Sequence, residues 1–247
     1  MTKHYQVSGF EVTEYEELGS TNVKAMELPQ GELKDKHVIL TYRQTQGKGQ
    51  VGNKWESEPL KNISMTVMFR PKHLEAGRQF AVSMVIALGG CDFVSRYADD
   101  CTIKWPNDIY AGDKKISGIL IEHTVQGAFV GSSICGIGVN INQHEFYSDA
   151  PNPVSLYQLT GKEVELPVAL QELLEDIGKW YDRIDDYKSL EKAYLTRMYR
   201  REGTYNWEDE NGQFRASVVG VDEYGRLRLR DGQGNIREYG FKEVVWL

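Results

Sequence analysis

"KWPNDIYAGDKKISGIL", Lys104–Leu120, is the stretch that decides how this chain is read. Pro106 stiffens the backbone after a strand, and Asn107 and Asp108 then present an amide and a carboxylate at a turn. Beyond the "AGD" turn, Lys115 stands on a returning strand, so a hairpin brings its ammonium back toward Asp108. Alone, such a pair is an ordinary hairpin-end salt bridge, worth ~0–1 kcal/mol. Gly118 changes that reading, because glycine inside a strand weakens pairing and marks close approach of a ligand or another backbone. "GIGVNIN", Gly136–Asn142, repeats the device with Gly136 and Gly138, followed by Asn140. Two glycine-bearing strands and a facing Asp–Lys pair predict one ligand cleft over a sheet.

Working outward, Thr102–Asn142 reads as a run of antiparallel strands turned at "AGDK" and "QGA". Upstream, the alternation over Phe10–Leu18 predicts a strand. "GSTN", Gly19–Asn22, predicts a turn with Ser20 as N-cap of a short helix over Thr21–Leu28. His37–Arg43 and Asn62–Pro71 are β-branched or apolar enough for two more strands, and Ala76–Tyr97 for a buried helix. A short helix is expected over Pro153–Thr160, closed by Gly161. Leu170, Leu173, Leu174, Ile177, Trp180, Tyr181 and Ile184 give Pro167–Met198 the period of an amphipathic helix. After Arg201 the texture changes to short alternating segments with Gly and Asp turns, a small all-β module of four or five strands. A boundary near Tyr199–Gly203 divides the chain into residues 1–200 and 201–247.

Between the strands at His37 and Asn62 lies "GKGQVG", Gly47–Gly52, which fits G-x-G-x-x-G. A dinucleotide-binding reading needs those glycines to open a helix, whereas here they join strand to strand through "NKWESEPLKN". A kinase reading lacks every companion motif. What remains is a loop whose backbone N–H groups can converge on an anion. Lys48 and Lys54 add charge to it, and Trp55 offers a flat face for a purine.

The 247 residues suffice for one large core, or one core with an appended module. A net charge of −7 argues against broad contact with a nucleic-acid backbone. No apolar run has the length of a membrane span and the first residues hold no signal-peptide core, so a cytoplasmic protein is expected, with no membrane partner. Cys91, Cys101 and Cys135 are far apart in sequence and read as reduced, mostly buried small hydrophobes. No Cys or His spacing suggests a metal site, and none is expected.

With these motifs in view, the chain resembles the biotin–protein ligases. "GSTN", "QTQGKGQVGNKW", "KWPND…KKISGIL" and "GIGVNIN" stand in the family's order at compatible spacings, and the likeness extends over most of the chain. It implies an α/β (α+β) fold: a class II aminoacyl-tRNA-synthetase-like catalytic domain, its mixed or antiparallel sheet flanked by helices, with a small C-terminal SH3-like β-barrel. It implies a ligase that uses ATP, with Mg²⁺, to make biotinyl-5′-AMP. Biotin then passes to a lysine of a biotin carboxyl carrier protein. The resemblance is to the monofunctional type without an N-terminal DNA-binding domain, since "GSTN" begins at Gly19. No nucleic-acid partner is therefore expected, and an exposed strand edge offers a route to a homodimer.

Carried onto matching positions, the resemblance assigns biotin contacts to Ser20, Thr21, Asn22, Gln44 and Thr45. The loop residues Gly47, Gly49, Gln50 and Val51, and the backbone of Gly118, Ile119 and Leu120, join them. Lys115 would bridge the biotin carboxylate and the phosphate. Asp108 would hold nucleotide and metal and orient the incoming lysine. Lys48, Lys54, Trp55, Asn107 and Asn140 would frame the adenylate. The loop departs from the family's G-R-G-R-R-G: Lys48, Gln50 and Val51 replace the three arginines, so the adenylate is expected to leave faster unless Lys54 or Arg43 compensates. Two other readings stay open here: a lipoate or other acyl–protein ligase on the same fold, and a non-catalytic biotin- or nucleotide-binding protein.

Overall fold

Strand alternation explains how one sheet carries both a core and a cleft. The computed structural model describes residues 2–29, 32, 34–50 and 52–247. Its first part runs β1 (Thr2–Val7), β2 (Phe10–Tyr15), α1 (Thr21–Met26), β3 (His37–Thr41), β4 (Ile63–Phe69) and α2 (Phe80–Val94). There follow β5 (Cys101–Lys104), β6 (Asp108–Ala111), β7 (Lys114–Gln126) and β8 (Phe129–Val139), then α3 (Leu156–Thr160), α4 (Leu166–Tyr181) and α5 (Tyr187–Thr196). The chain ends with β9 (Tyr205–Asp209), β10 (Gly212–Val221), β11 (Leu227–Asp231), β12 (Ile236–Tyr239) and β13 (Val245–Trp246). Strands β1 to β8 form an eight-stranded sheet ordered β1-β2-β3-β4-β8-β7-β6-β5, and the last five form a second sheet. Among the described residues of the large sheet, β2 and β3 pair parallel and the other strand pairs are antiparallel.

On one face, Val38, Leu40, Met65, Val67, Cys135 and Ile137 are buried in the main core with α2 and α4. On the other, Ile39, Met68 and Ile134 meet Ala25 of α1 in a small separate cluster. Helix α2 is buried almost all round, which requires close approach. A Cβ on Gly89 would lie 2.6 Å from the Ile177 backbone on α4, and one on Gly90 would strike Ile109. Two glycines cost a helix about 1 kcal/mol each, and the close packing they permit offsets this.

Several sequence expectations change. Strand β1 has no counterpart in the sequence reading: "TKHYQV" carries only Tyr5 and Val7 on its inner face, and it pairs with β2 across the Ser8–Gly9 turn as the open edge of the sheet. The amphipathic run Pro167–Met198 is two helices, because the chain turns after Tyr181 and Asp186 restarts it, its carboxylate accepting from Ser189 N at 3.1 Å. Ser20 occupies the N-cap position of α1 but its hydroxyl makes no capping bond. Cys91 and Cys101 meet between α2 and β5: their thiols hydrogen-bond, which together with burial pushes the Cys101 thiol up. Among the described residues no helix is long and apolar enough to cross a membrane.

The second sheet, ordered β12-β11-β10-β9-β13, closes around the fully buried Trp207, which packs on Trp246 at 3.9 Å between ring centroids. It seats on the first through Gly225 (φ +84°), where Trp105 Nε1 donates to the carbonyl at 2.8 Å and Phe80 fills the space a Cβ would need.

Candidate active site

On the face of the large sheet away from α2 and α4, one stretch of β7 and β8 is built of residues without side chains. Gly118 on β7 pairs with Gly138 on β8, and Gly136 lies two residues back. A Cβ on Gly118 would stand 2.9 Å from Cζ3 of Trp55, and one on Gly138 would intrude further into the same ring. Gly136 admits the carboxamide of Asn22 in the same way. The paired glycines thus form a floor on which an indole and an amide lie against backbone. Above that floor is a cavity of about 350 Å³.

Its wall collects most of the expected residues. Ser20, Thr21 and Asn22 arrive on the first turn of α1. Gln44 holds that turn, its Oε1 accepting from Thr21 N at 3.0 Å and Thr21 Oγ1 at 3.3 Å. Asn22 is fixed from two sides: Thr66 Oγ1 donates to its Oδ1 at 2.6 Å, and its Nδ2 donates to Leu120 O at 3.1 Å. Hydrogen bonds among pocket residues hold these amides in place before any ligand arrives.

At the other end, Lys115 Nζ lies 2.7 Å from Asp108 Oδ1, with Asp108 and Lys115 both partly shielded from solvent. The same ammonium is 5.8 Å from the Trp55 ring centroid. Asn107 is occupied in binding β6 to β7, donating to Ile119 O at 2.5 Å and accepting from Ile119 N at 2.9 Å. Gly118, Ile119 and Leu120 complete that wall.

The glycine segment folds as a miniature hairpin over the top. Trp55 N donates to Gly47 O at 3.0 Å, Lys48 bridges Lys54, and Gly49 N donates to Asn53 O at 2.8 Å. Lys48, Gly49, Gln50, Asn53, Lys54 and Trp55 face the cavity. Among the described residues, four lysines (48, 54, 115 and 242) therefore line it against one carboxylate, Asp108, in a chain whose formal charge is −7. A concave site of that polarity favours an anion, and a low-dielectric wall strengthens the attraction.

Three expected residues do not stand on this wall. Thr45 is exposed, its N and Oγ1 bonded to Leu18 O. Gly47 is buried at the base of the hairpin, where a Cβ would strike the Trp55 carbonyl. Asn140 is buried one layer below, its Nδ2 donating to Val154 O at 3.0 Å. Val51 lies outside the described residues. Of the two expected compensating cations, Lys54 reaches the wall and Arg43 does not.

The sequence reading missed Asn53, Met65, Pro106, Ile137, Phe241 and Lys242, all on the wall; Gly136 and Gly138 were marked as cleft glycines but assigned no contact. Phe241 and Lys242 come from the turn between β12 and β13, where the backbone at Lys242 is left-handed (φ +66°). On the neighbouring stretch of β7, burial holds the His123 pKa down to about 4, so its imidazole is neutral at pH 7.

Comparison with known proteins fits this geometry. The family model for the biotin/lipoate A/B protein ligase family matches residues 16–140. The chain belongs to this family. It is 31% identical over 227 residues to the biotin–[acetyl-CoA-carboxylase] ligase of Paracoccus denitrificans, covering 87% of this chain and 92% of that protein. It is 28% identical over 238 residues to the bifunctional ligase/repressor BirA of Bacillus subtilis, covering 93% of this chain and 72% of the relative. Among solved structures, the biotin protein ligase of Aquifex aeolicus in complex with biotin and ATP superposes with a TM-score of 0.77 at 24% identity, over 95% of this chain and 97% of that one. The fold of the ligase family, a large mixed sheet flanked by helices with a small antiparallel β-unit of SH3-like kind, is the fold found here.

Proposed function

We propose that the chain is an ATP-dependent biotin–protein ligase whose chemistry centres on the Asp108–Lys115 pair. The observation that carries this is the position of that pair, 2.7 Å apart at one end of a cationic cavity roofed by the glycine hairpin. In the first step the carboxylate of biotin attacks the α-phosphate of ATP, giving biotinyl-5′-AMP and pyrophosphate. Negative charge gathers where the two anions meet. Lys115 lies there, and a preplaced cation in a partly dry site is the largest kind of catalytic contribution to such a step. At the opposite end, the Ser20 hydroxyl, free of any capping role, is placed to satisfy the ureido ring, whose donors cost ~1–3 kcal/mol if buried unpaired. Thr21, Asn22 and Gln44 shape that end.

In the second step the amine of an acceptor lysine on a biotin carboxyl carrier domain attacks the mixed anhydride and AMP leaves. Asp108 is the carboxylate beside the reacting centre, suited to hold the incoming ammonium and take its proton. Trp55 and the lysines of the hairpin shelter the adenylate from water between the steps. Mg²⁺ suits this donor set as a companion of ATP, because it is commonly held by one or two carboxylates plus substrate phosphates and Asp108 supplies one. Bound there, it would neutralise the pyrophosphate that leaves. We also assign residues 1–200 to the catalytic domain and 201–247 to the β-domain, since the chain passes from one sheet to the other across Tyr199–Gly203. The free thiols of Cys91, Cys101 and Cys135 accord with a cytoplasmic setting.

Biotin-dependent exchange of pyrophosphate into ATP, followed by a mass gain of one biotinyl group on a carrier domain, is the expected result. Exchange driven equally by lipoate, or binding of biotin without exchange, would overturn the reading.

A further inference from the structure

Lys115 pairs with Tyr110 of β6 on one side, but on its other side β8 no longer reaches it. Pairing between β7 and β8 ends at Ser117 and Val139, and the β6–β7 register shifts between Ile109 and Tyr110, opposite this segment. The ladder at Lys115 is completed by a strap, residues 143–154. Lys115 N donates to Asn152 O at 2.8 Å, Val154 N donates to Lys115 O at 2.9 Å, and Asn152 Nδ2 donates to Asp113 O at 2.5 Å.

The other end of the strap is held by the glycine hairpin. Glu56 follows Trp55 directly, and its carboxylate accepts from Tyr147 N at 2.9 and 3.2 Å, Ser148 N at 2.8 Å and Gln143 Nε2 at 3.0 Å. Gln143 is buried, and its Oε1 accepts from Asn62 Nδ2 at 2.5 Å and Glu58 N at 3.1 Å. Ser155 Oγ donates to Gln143 O at 2.6 Å, closing the strap on itself. One short segment therefore bonds to the base of the lid at one end and to the backbone of the lysine at the other.

We propose that Glu56 is a positioning residue for adenylation: by gripping the 143–154 strap it fixes both the closed pose of the hairpin and the placement of Lys115. The inference rests on the ligase reading above. A carboxylate taking several N–H donors forms charge-assisted bonds, roughly twice as strong as neutral ones, so this grip outweighs the few neutral backbone bonds that close the hairpin. Opening the hairpin then pulls on the strap, and a loosened strap leaves Lys115 held from the β6 side alone. A misplacement of about 1 Å at a reacting centre costs up to about a hundredfold in rate.

The test uses the full chain with Glu56→Ala and Glu56→Gln, the latter keeping one acceptor oxygen. Native-state hydrogen exchange should be about tenfold faster or more at the Lys115 and Val154 amides in Glu56→Ala, intermediate in Glu56→Gln, and unchanged at Met65 in the sheet centre. The single-turnover rate of adenylation at saturating biotin and ATP should fall by about tenfold, alongside faster release of biotinyl-AMP. A folded Glu56→Ala with wild-type exchange at Lys115 and Val154 overturns the coupling. So does a rise in adenylate release with an unchanged single-turnover rate, which would make Glu56 an anchor of the lid alone. If Glu56→Ala does not fold, Asn152→Ala loosens the strap from its far end and should raise adenylate release; no rise overturns the proposal. Hydrogen exchange reads the coupling without reference to biotin, so absence of biotin-dependent pyrophosphate exchange in the wild type would sink the ligase reading separately.

Discussion

The floor and the roof of the cavity are built on opposite physical plans. The floor is strand: Gly118, Gly136 and Gly138 sit in continuous ladders between β4, β7 and β8, so their backbone cannot shift without breaking the sheet. The roof is a hairpin closed by a few backbone bonds over residues 47–55 and held at its base by Gln44 and Glu56. The strand-borne part places atoms to a fraction of an ångström, and the loop admits, encloses and releases a ligand. Chemistry should therefore fail when the strand-borne Asp108–Lys115 pair is damaged, and retention should fail when the roof, or its seat on the floor glycines, is.

The largest effect is expected from Lys115→Ala, which should lower biotin-dependent pyrophosphate exchange by about 10²–10³-fold with little change in thermal stability. Activity within a factor of a few of wild type would break the assignment of chemistry to the strand-borne pair. Next comes Gly138→Val, whose side chain must displace the Trp55 ring. Affinity for biotinyl-AMP should drop by about tenfold or more while the fold survives, and quenching of tryptophan fluorescence by the ligand should shrink. Lys48→Ala, on the roof, should speed adenylate release several-fold, about 1 kcal/mol for an exposed cation near a phosphate. It should leave the single-turnover rate alone; a slowed chemical step would blur the division.

The smallest effect concerns pH. Burial pushes the Glu56 carboxyl up, but donors from Ser148, Tyr147 and Gln143 more than offset it, and its pKa is lowered overall. A group depressed in the folded state contributes fully above the ordinary glutamate range and is lost only as pH falls through its lowered value. Adenylate release should therefore not change through Glu56 between pH 6 and 8, and should accelerate only in acid below the usual carboxylate range.

The same division governs what could be read from the sequence. Strands β3 and β4 and the hairpins β5 to β8 were legible because their periodicity and turn residues agree with what the sheet requires. Asp108 and Lys115 were legible because a hairpin turn is local and its geometry follows from spacing. Strand β1 escaped because an edge strand with only Tyr5 and Val7 on its inner face shows too short an alternation to read. The break between α4 and α5 escaped because the apolar period runs on through it and only the Asp186 cap marks the restart. Asn140 was placed one layer too high, since an asparagine after a glycine-bearing strand looks the same whether it faces a ligand or the strap. Phe241 and Lys242 had no local signal at all; their place depends on how two sheets dock, as does the grip of Glu56 on backbone N–H groups some ninety residues away.

The seat of Gly225 on Phe80 and Trp105 carries a consequence for recombination among relatives. A left-handed glycine, an indole donor and a phenyl ring must be inherited together, although they lie far apart in the gene. A chimera that takes its last fifty residues from another ligase should assemble only when the donor brings a residue without a side chain to that spot. Shuffling experiments that recover functional hybrids should cross over freely near residue 200, yet retain this trio in every survivor.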